Sequence, residues 1–378
     1  MPRKTNFSTN GKDYYRITAT LGKTADGKPI RKQFYGASKK EAETKREEYL
    51  SGLKQGLAVE YEKTTFSAAF EHWLEHIQRQ KIAISSYARY KGVYQLHIAH
   101  SGLAGMRLID IKAANVQGHY NTLLKTTTAT AIHYLNRILK IFFKYCLKSG
   151  ILVKSPLLAV ELPMLPKQHT TKNTALSDDE IKKMVQAAKE NIRYFPFVFD
   201  IFTGLRSGEL RALCYKDLDF KTNMVNVKRT VNHITVDGEY KAVLSDTKSK
   251  ASIRRVPIMK EIQHLLQAHI KEIISRLDSI PIDGNFLLFP SATGEYREEG
   301  SLLYFYKRLC DKLDIREGRT IHSLRHTYCT IVARQGVSLL EASRLMGHSN
   351  INITAKIYAH VTDADKMNAV EKLSVYFD

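Results

Sequence analysis

The chain has 378 residues, 43% of them hydrophobic, which is enough to bury substantial cores in two or three domains. It carries 58 Lys and Arg against 38 Asp and Glu, a formal net charge of +20, and the basic residues are spread along the sequence. Such an excess favours a polyanionic partner, most often nucleic acid, over a basic protein that has no such partner.

The sequence also argues against several other classes of protein. It has no apolar run of membrane-spanning length and no signal peptide at its start, so we expect a cytoplasmic protein without a membrane partner. We find neither a G-x-x-x-x-G-K-[ST] nucleotide loop nor an acidic cluster for two-metal chemistry, so no cofactor and no metal are expected. The cysteines lack metal-ligand spacing and are predicted to be buried free thiols: Cys146, Cys214, Cys310 and Cys329.

Residues 1–60 are predicted to form a small domain of β-sheet and one helix. Alternating residues predict strands over 14–21 and 29–35, and a capping box at Ser38 and Glu41 opens the helix. The helix covers one face of the sheet, which leaves the other face to lie in a DNA major groove, to cap a domain or to contact another protein. We expect DNA contacts from the basic residues of this hairpin: Arg16, Lys28, Arg31 and Lys32.

Residues 64–160 show the apolar spacing of helices, at i, i+3 and i+4, and predict an all-α bundle. The only tryptophan, Trp73, lies on an apolar stripe and is predicted to be a core residue. The pattern is carried by four segments: 66–80, 85–103, 113–125 and 129–150. Basic residues on the outer helix faces are expected to contact DNA phosphates without reading sequence: Lys81, Lys91, Arg137 and Lys140.

A linker that contains proline is predicted at 161–173, followed by a mostly α-helical domain over 174–378. In the segment TGLRSGELRAL, Gly204 is predicted to end an apolar helix in a left-handed turn, and Ser207 is predicted to cap the next helix. Arg206 then lies in the corner between the two helices, where its side chain is fixed before any ligand binds.

Segments 217–229, 232–244 and 253–258 alternate like strands and predict a three-stranded antiparallel sheet inside this domain. The last connection, DTKSKAS, places Lys248 and Lys250 at a hairpin tip, from which a side chain reaches further than it does from mid-strand. The predicted fold class is therefore a multidomain α+β protein, with a small β-sheet-plus-helix domain, an all-α bundle and a mostly α domain that holds this sheet.

The stretch HSLRHTYCTIVARQGVSLLEASRLMGHSNINITAKIYAHV, residues 322–361, concentrates polar chemistry on short helices. His322 and Arg325 stand three residues apart at the start of a helix, so both side chains project from one face. His348 and Tyr358 follow, and the four side chains are expected to converge from three short helices. The end of the first helix and the limits of the second are predicted at Gly336, Ser338 and Gly347.

An H-x-x-R pair alone is a weak signal, but the whole string is specific. The succession TGLRSGEL, HxLRHT, LMGH and a tyrosine ten residues later resembles the tyrosine recombinase (phage integrase) family. The resemblance implies that Glu209 orients Arg206, and that either Lys248 or Lys250 is the general acid, with Lys248 the better match. It implies a catalytic set of six residues: Arg206, Lys248, His322, Arg325, His348 and Tyr358.

These residue types suit an attack on a DNA phosphodiester. Arg206 and Arg325 supply paired hydrogen bonds to oxygens whose charge grows in the transition state. A phenol has an ordinary pKa near 10, so Tyr358 needs a base to act as a nucleophile at neutral pH, and His322 is the natural proton acceptor. The departing 5′ oxygen needs a proton, which is the role implied for Lys248, while the second histidine hydrogen-bonds the phosphate or holds the pocket.

The resemblance implies a site-specific integrase of a phage or conjugative transposon, which forms a 3′-phosphotyrosine intermediate without ATP. It further implies an arm-type DNA-binding domain over 1–60, a core-binding domain over 64–160 and a tetramer on double-stranded DNA, with excision or host DNA-bending factors as further partners. The rival functions are a resolvase-type recombinase, a type IB topoisomerase and a non-catalytic DNA-binding regulator. An amphipathic helix predicted at 364–377 covers its own domain or docks on a neighbouring protomer.

Overall fold

The computed structural model divides the chain into two compact units, Met1–Lys167 and Gln168–Asp378. The division falls inside the predicted linker, while the predicted N-terminal domain and helical bundle share the first unit; the three-domain layout stays a prediction. The structure describes residues 5–9, 12–23, 29–54, 63–166, 175–236, 238–246, 252–276, 281 and 283–358.

The first unit begins with an antiparallel sheet of order β1-β2-β3 and a helix, α1. A capping box starts the helix as predicted, since the amide of Glu41 donates to Ser38 Oγ at 3.2 Å and Glu41 Oε2 accepts from the amide of Ala37 at 2.8 Å. The first strand was missed, because three residues are too few to show an alternation. The bounds are β1 Phe7–Thr9, β2 Lys12–Lys23, β3 Pro29–Gly36 and α1 Lys39–Lys54.

A helical bundle fills the rest of the first unit, as its periodicity predicts. Trp73 is fully buried among aromatic rings, for example Phe70 at 5.1 Å and Phe142 at 5.4 Å between ring centres, which confirms its predicted place in the core. The first helix of the bundle, α2 Phe66–His72, continues as a π-helical turn, Trp73–Gln78. The α-helices are α2 Phe66–His72, α3 Ile84–His97, α4 Ala113–Leu123 and α5 Ala129–Lys148.

The second unit is built around α7, which is hydrophobic on all sides and almost wholly buried. Phe195, Phe197, Phe199 and Ile201 on this helix are all 0% exposed. Because the helix is locked in the core, the turn at its end is held in a fixed place. The helices of this unit are α6 Asp178–Glu190, α7 Phe195–Thr203, α8 Ser207–Arg211, α9 Gln263–Ile274, α10 Glu299–Lys312, α11 Ile321–Arg334, α12 Leu339–Met346 and α13 Ile351–Tyr358.

The prediction of the three-stranded sheet is wrong about which strands it contains. The strands β4 Leu218–Asp219, β5 Met224–Val227 and β8 Arg254–Pro257 form one antiparallel sheet of order β4-β5-β8. In the described part of the chain, β6 Arg229–Val236 and β7 Glu239–Asp246 form a separate two-stranded sheet. The segment taken as one strand, 232–244, contains the turn of this hairpin. Periodicity alone does not show which strands pair, since every one of them alternates.

The cysteines are free and buried, as predicted. Among the helices of the described residues, none is long and apolar enough to cross a membrane.

Candidate active site

The corner between α7 and α8 fixes the backbone around Arg206. Gly204 ends α7 with a φ of 61°, the predicted left-handed conformation, and its amide donates to the carbonyl of Asp200 at 2.8 Å. The predicted cap at Ser207 is wrong, because α8 already begins at that residue and Arg206 occupies the capping position. Glu209 takes over the capping role, since its Oε2 accepts from the amide of Arg206 at 2.8 Å.

The side chain of Arg206 is held on one side and open on the other. Its Nη1 donates to Glu209 Oε1 at 2.8 Å, as the predicted orienting role requires, and its Nη2 donates to the carbonyl of Gly347 at 2.7 Å. The side chain of Arg206 is 39% exposed, whereas that of Glu209 is 2% exposed. The guanidinium is therefore held by Glu209 and Gly347 and is still accessible to an anion.

Arg325 lies deeper than Arg206 in the same region. It is 2% exposed, and its guanidinium donates to the carbonyl of Gly204 at 2.6 Å and to the carbonyl of Met346. Burial, with the neighbouring charges of Arg206 and Arg254, lowers the pKa of Arg325 to about 9. The guanidinium of Arg325 is therefore still protonated at neutral pH. Arg206 and Arg325 together carry more positive charge than the neighbouring carboxylates neutralise.

His322 projects from the start of α11, one turn before Arg325, as the spacing predicted. Its ring centre lies 4.7 Å from that of His326, in an edge-to-face arrangement. Partial burial, His326 and the guanidiniums of Arg325 and Arg206 lower the pKa of His322 below its ordinary value. The pKa falls to about 4, so the imidazole is neutral at pH 7 and is a weaker base than an exposed histidine.

His348 follows directly after Gly347, which ends α12 in a left-handed conformation with a φ of 62°. Its Nδ1 lies 2.8 Å from Thr354 Oγ1, and when the hydroxyl donates to this nitrogen the hydrogen of the ring is on Nε2. Burial lowers the pKa of His348 to about 3, and Arg325 and Arg206 act in the same direction. A neutral imidazole in this position is a hydrogen-bond donor suited to a phosphate oxygen.

Two of these side chains border a cleft of about 790 Å³. Arg206 and His322 line it together with neutral polar residues such as Thr230, Ser252 and Ser349. The guanidinium of Arg206 faces this space with its orientation fixed before an anion arrives, and the buried charge of Arg325 lies on the same helix end. The arrangement is suited to binding a phosphodiester and to stabilising additional charge on it.

The structure does not bring Tyr358 into this cluster. The hydroxyl of Tyr358 donates to the carbonyl of Val337 at 2.9 Å, and the ring packs against a small core that includes Cys329. Burial, followed by Cys329 and Glu341, raises the pKa of Tyr358 to about 12. This hydroxyl is therefore bonded to a backbone carbonyl, and no guanidinium of the described residues is among the groups that shift its pKa. Other predicted elements lie outside the described residues: Lys28, Lys248, Lys250 and the segment 364–377.

Two further residues of this region were missed by the sequence analysis. Arg254, on β8, donates to both carboxylate oxygens of Glu209, at 3.1 and 2.9 Å. Asp200 is 0% exposed beneath the corner, and burial raises the pKa of its carboxyl while the charge of Arg325 opposes that rise. Neither residue belongs to a recognisable motif, so only its surroundings reveal it.

The predicted DNA contacts of the N-terminal sheet divide between its two faces. Lys32 faces α1, where its ammonium lies 3.8 Å from the ring centre of Tyr49. Arg31 is exposed and, as the neighbour of Lys32 on the strand, points to the opposite face. Arg16 pairs across the sheet with Tyr35, on the same face as Arg31. The open face thus presents Arg16 and Arg31, and Lys32 is engaged elsewhere.

The predicted phosphate contacts of the bundle also differ in availability. Lys81, Arg137 and Lys140 are exposed on their helices. Lys91 donates to Glu75 Oε1 at 3.3 Å, so its charge is already partly neutralised inside the bundle. The DNA contacts of all these residues remain predictions.

Comparisons with known proteins agree with this geometry. Residues 174–365 match the model of the Phage integrase family, and residues 65–124 match that of the Phage integrase N-terminal SAM-like domain. Over the full length of both proteins, the chain is 36% identical to a "Tyrosine recombinase XerC-like" protein of Caldanaerobacter subterraneus subsp. tengcongensis. It is 27% identical to the transposase from transposon Tn916 of Enterococcus faecalis, over 85% of this chain and 80% of that protein.

A solved structure shows the same fold. The Tn1549 transposon integrase in complex with a circular intermediate DNA has a TM-score of 0.66 and 23% sequence identity, over 82% of this chain and 99% of that one. The family match covers the corner at Arg206, the histidines and Tyr358. The chain therefore belongs to the phage integrase family of tyrosine recombinases, and it is an enzyme of site-specific DNA cleavage and strand exchange.

Proposed function

We propose that this chain is the integrase of a mobile element and that Tyr358 attacks a DNA phosphodiester to form a 3′-phosphotyrosine intermediate. The observation that carries the proposal is a pair of guanidiniums, Arg206 at an open cleft and the buried Arg325, each anchored by a backbone carbonyl at the end of α12. Two fixed cations at one phosphate stabilise the charge that develops when phosphorus becomes five-coordinate.

The proposed reaction conserves the phosphodiester. A bond forms between Tyr358 Oη and phosphorus, and the bond from phosphorus to the 5′ oxygen breaks. His322, whose ring is neutral at pH 7, accepts the phenolic proton, and Lys248 gives a proton to the departing oxygen. Attack by a 5′ hydroxyl on the phosphotyrosine reverses these steps and rejoins a strand, so no ATP is consumed.

Tyr358 has to leave the carbonyl of Val337 before it reaches the phosphate. The hydrogen bond it gives up is a single neutral contact, worth about 0.5–1.5 kcal/mol, which DNA binding is able to offset. In the proposed cycle, before the DNA is cleaved, Arg206 and Arg325 are already in place for the phosphate, while Tyr358 is still bonded to Val337. Cleavage follows when α13 shifts.

The partners of the proposed reaction are two kinds of DNA site in the cytoplasm. Residues 64–160 and the catalytic domain, 174–378, which are connected by the linker 161–173, bind core sites. Residues 1–60 bind arm sites through the open sheet face. Four protomers act on two duplexes, with excision or host DNA-bending factors as helpers. Support comes from the net charge of +20 and from relatives named for transposons Tn916 and Tn1549.

A suicide substrate tests this function. The DNA is the attachment site taken from the ends of the element that carries the gene, nicked near the cleavage point so that religation fails. We expect wild-type protein to form a covalent protein–DNA adduct visible on a denaturing gel, and Tyr358→Phe to form none. Tyr304→Phe, which changes an exposed tyrosine on α10, is the matched control and should retain full adduct formation.

Two results would contradict the proposal. Equal adduct with wild type and Tyr358→Phe would exclude this nucleophile. Specific DNA binding without adduct from wild-type protein, on substrates nicked at every position across the site, would favour a non-catalytic regulator.

A further inference from the structure

The C-terminal end of α12 gathers arginines from three separate elements. Three consecutive carbonyls each accept one guanidinium: that of Leu345 from Arg254 Nε at 2.7 Å, that of Met346 from Arg325, and that of Gly347 from Arg206 Nη2 at 2.7 Å. The last carbonyls of a helix have no partner within the helix and lie at the negative end of its dipole. The hydrogen bonds to the end of α12 therefore fix the spacing of these three guanidiniums.

Arg254 differs from the other two because it has little access to the cleft. Its side chain is 5% exposed, and each of its nitrogens is engaged. Nη1 donates to Glu209 Oε1 at 3.1 Å and to the carbonyl of Ser252 at 3.2 Å, while Nη2 donates to Glu209 Oε2 at 2.9 Å. A substrate phosphate in the cleft would meet Arg206 rather than this side chain.

Glu209 is shared between Arg254 and Arg206. Its Oε1 accepts from Nη1 of both arginines, and its Oε2 accepts from Arg254 Nη2 and from the amide of Arg206. The planar fork of Arg254 therefore sets the plane of the carboxylate on which Arg206 rests. A lysine has the same charge but makes no two-pronged contact.

We propose that Arg254 is a positioning residue of the recombinase: by fixing both the Glu209 carboxylate and the end of α12, it sets the directions in which Arg206 and Arg325 meet the scissile phosphate. The inference rests on the proposed function, because it assumes that these two arginines bind that phosphate. A displacement of about 1 Å at a reacting centre costs on the order of 10²-fold in rate, so a residue that never touches the substrate still controls cleavage.

The test compares Arg254→Lys with Arg255→Lys in the full-length protein. Arg255 is the next residue on β8, has the same charge, and is 52% exposed in a surface ion pair with Asp219 at 2.9 Å. The single-turnover rate of adduct formation is measured at saturating suicide substrate, and the Kd for uncleaved DNA is measured separately. We expect Arg254→Lys to lower the rate by about 10²-fold with its Kd unchanged, and Arg255→Lys to match wild type.

A second comparison separates positioning from general stability. Glu209→Gln and the double variant Glu209→Gln/Arg254→Lys are assayed at a temperature where melting curves show every variant folded. Since both residues act through one contact, the double variant should be no slower than the slower single variant. If Arg254→Lys does not fold at that temperature, Arg254→Gln replaces it, because an amide fills the site and keeps hydrogen-bonding groups.

Each other outcome overturns the inference. A folded Arg254→Lys protein that cleaves at the wild-type rate shows that the fork has no role. A raised Kd with an unchanged rate makes Arg254 a binding residue, and equal losses at Arg254 and Arg255 show that the effect does not depend on the contact with Glu209. If wild-type protein forms no adduct that depends on Tyr358, the proposed function fails first, in an experiment that involves no Arg254 variant, and the inference falls with it.

Discussion

The proposed anion site and the helix that carries the proposed nucleophile lie in the same unit but are held in opposite ways. Arg325 is 2% exposed and donates to two backbone carbonyls, and Arg206 is fixed by Glu209 and Gly347. Tyr358 is held by one hydrogen bond to Val337 on a helix of eight residues. The guanidiniums are thus preorganised, whereas Tyr358 is held apart from them, and under the proposed function we expect the movement of Tyr358 to be the controlled step.

The largest effect is expected from Glu209→Gln, which keeps the shape of the side chain and removes the only charge paired with Arg206 and Arg254 in the described residues. Glu209 is 2% exposed, so two guanidiniums are left beside an uncharged amide. We expect the free energy of unfolding at pH 7 to fall by about 3–5 kcal/mol, measured by urea denaturation. Glu299→Gln, at a 69% exposed carboxylate 3.8 Å from Arg211, should cost less than about 0.5 kcal/mol.

The pH dependence of that difference checks its electrostatic origin. Burial raises the pKa of Glu209, but hydrogen bonds and charge from Arg254, and then from Arg206, outweigh burial and leave the pKa below its ordinary 4.5. The folded state therefore binds fewer protons than the unfolded state, and the stabilisation is present at neutral pH and lost as the pH falls below 4.5. A gap between wild type and Glu209→Gln that stays constant to acid pH would rule out a charge effect.

A smaller effect is expected at the corner, from Gly204→Ala. Any residue with a Cβ at a φ of 61° costs about 1–2 kcal/mol, and here the new atom would lie 2.3 Å from Tyr328 Cδ1, adding about 1–3 kcal/mol. Gly336→Ala is the matched control, because it has a φ of 77° and no atom within 4 Å of the new Cβ. Thermal melts that show equal losses for the two variants would mean that the corner adjusts freely.

The smallest effect is expected from the contact between Tyr358 and the carbonyl of Val337. Tyr358→Phe removes the hydroxyl that donates to Val337 and should lower the free energy of unfolding by about 0.5–1.5 kcal/mol. Tyr304→Phe, on an exposed side chain, should leave it unchanged. An unchanged stability for Tyr358→Phe would show that the hydroxyl is not held there, and the contrast with the arginines would weaken.

Local patterns of the sequence predicted much of this architecture. The capping box at Glu41, the left-handed end of α7 at Gly204 and the limits of α12 depend on neighbours within a few residues, so they are visible in the chain itself. The shared face of His322 and Arg325 follows from helical spacing in the same way. The predicted cap at Ser207 failed because Glu209, two residues later, takes that role.

Long-range pairing was decided only in three dimensions. Arg325 binds a carbonyl 121 positions earlier in the chain, and Arg254 binds one 91 positions later. Every residue has a carbonyl, so nothing in the sequence marks those of Leu345, Met346 and Gly347 as the place where three guanidiniums meet. The position of Lys32 over Tyr49 was hidden for the same reason.

The sequence by itself determined the chemistry that this recombinase carries, because residue types and short spacings specify which groups are present and which share a helix face. The tertiary structure decided where those groups lie relative to one another. It set Arg206 and Arg325 on the end of one helix, added Arg254 as their support, and left Tyr358 on the carbonyl of Val337. The physical reason is that direction and distance between groups far apart in the chain arise only when the elements that carry them pack together.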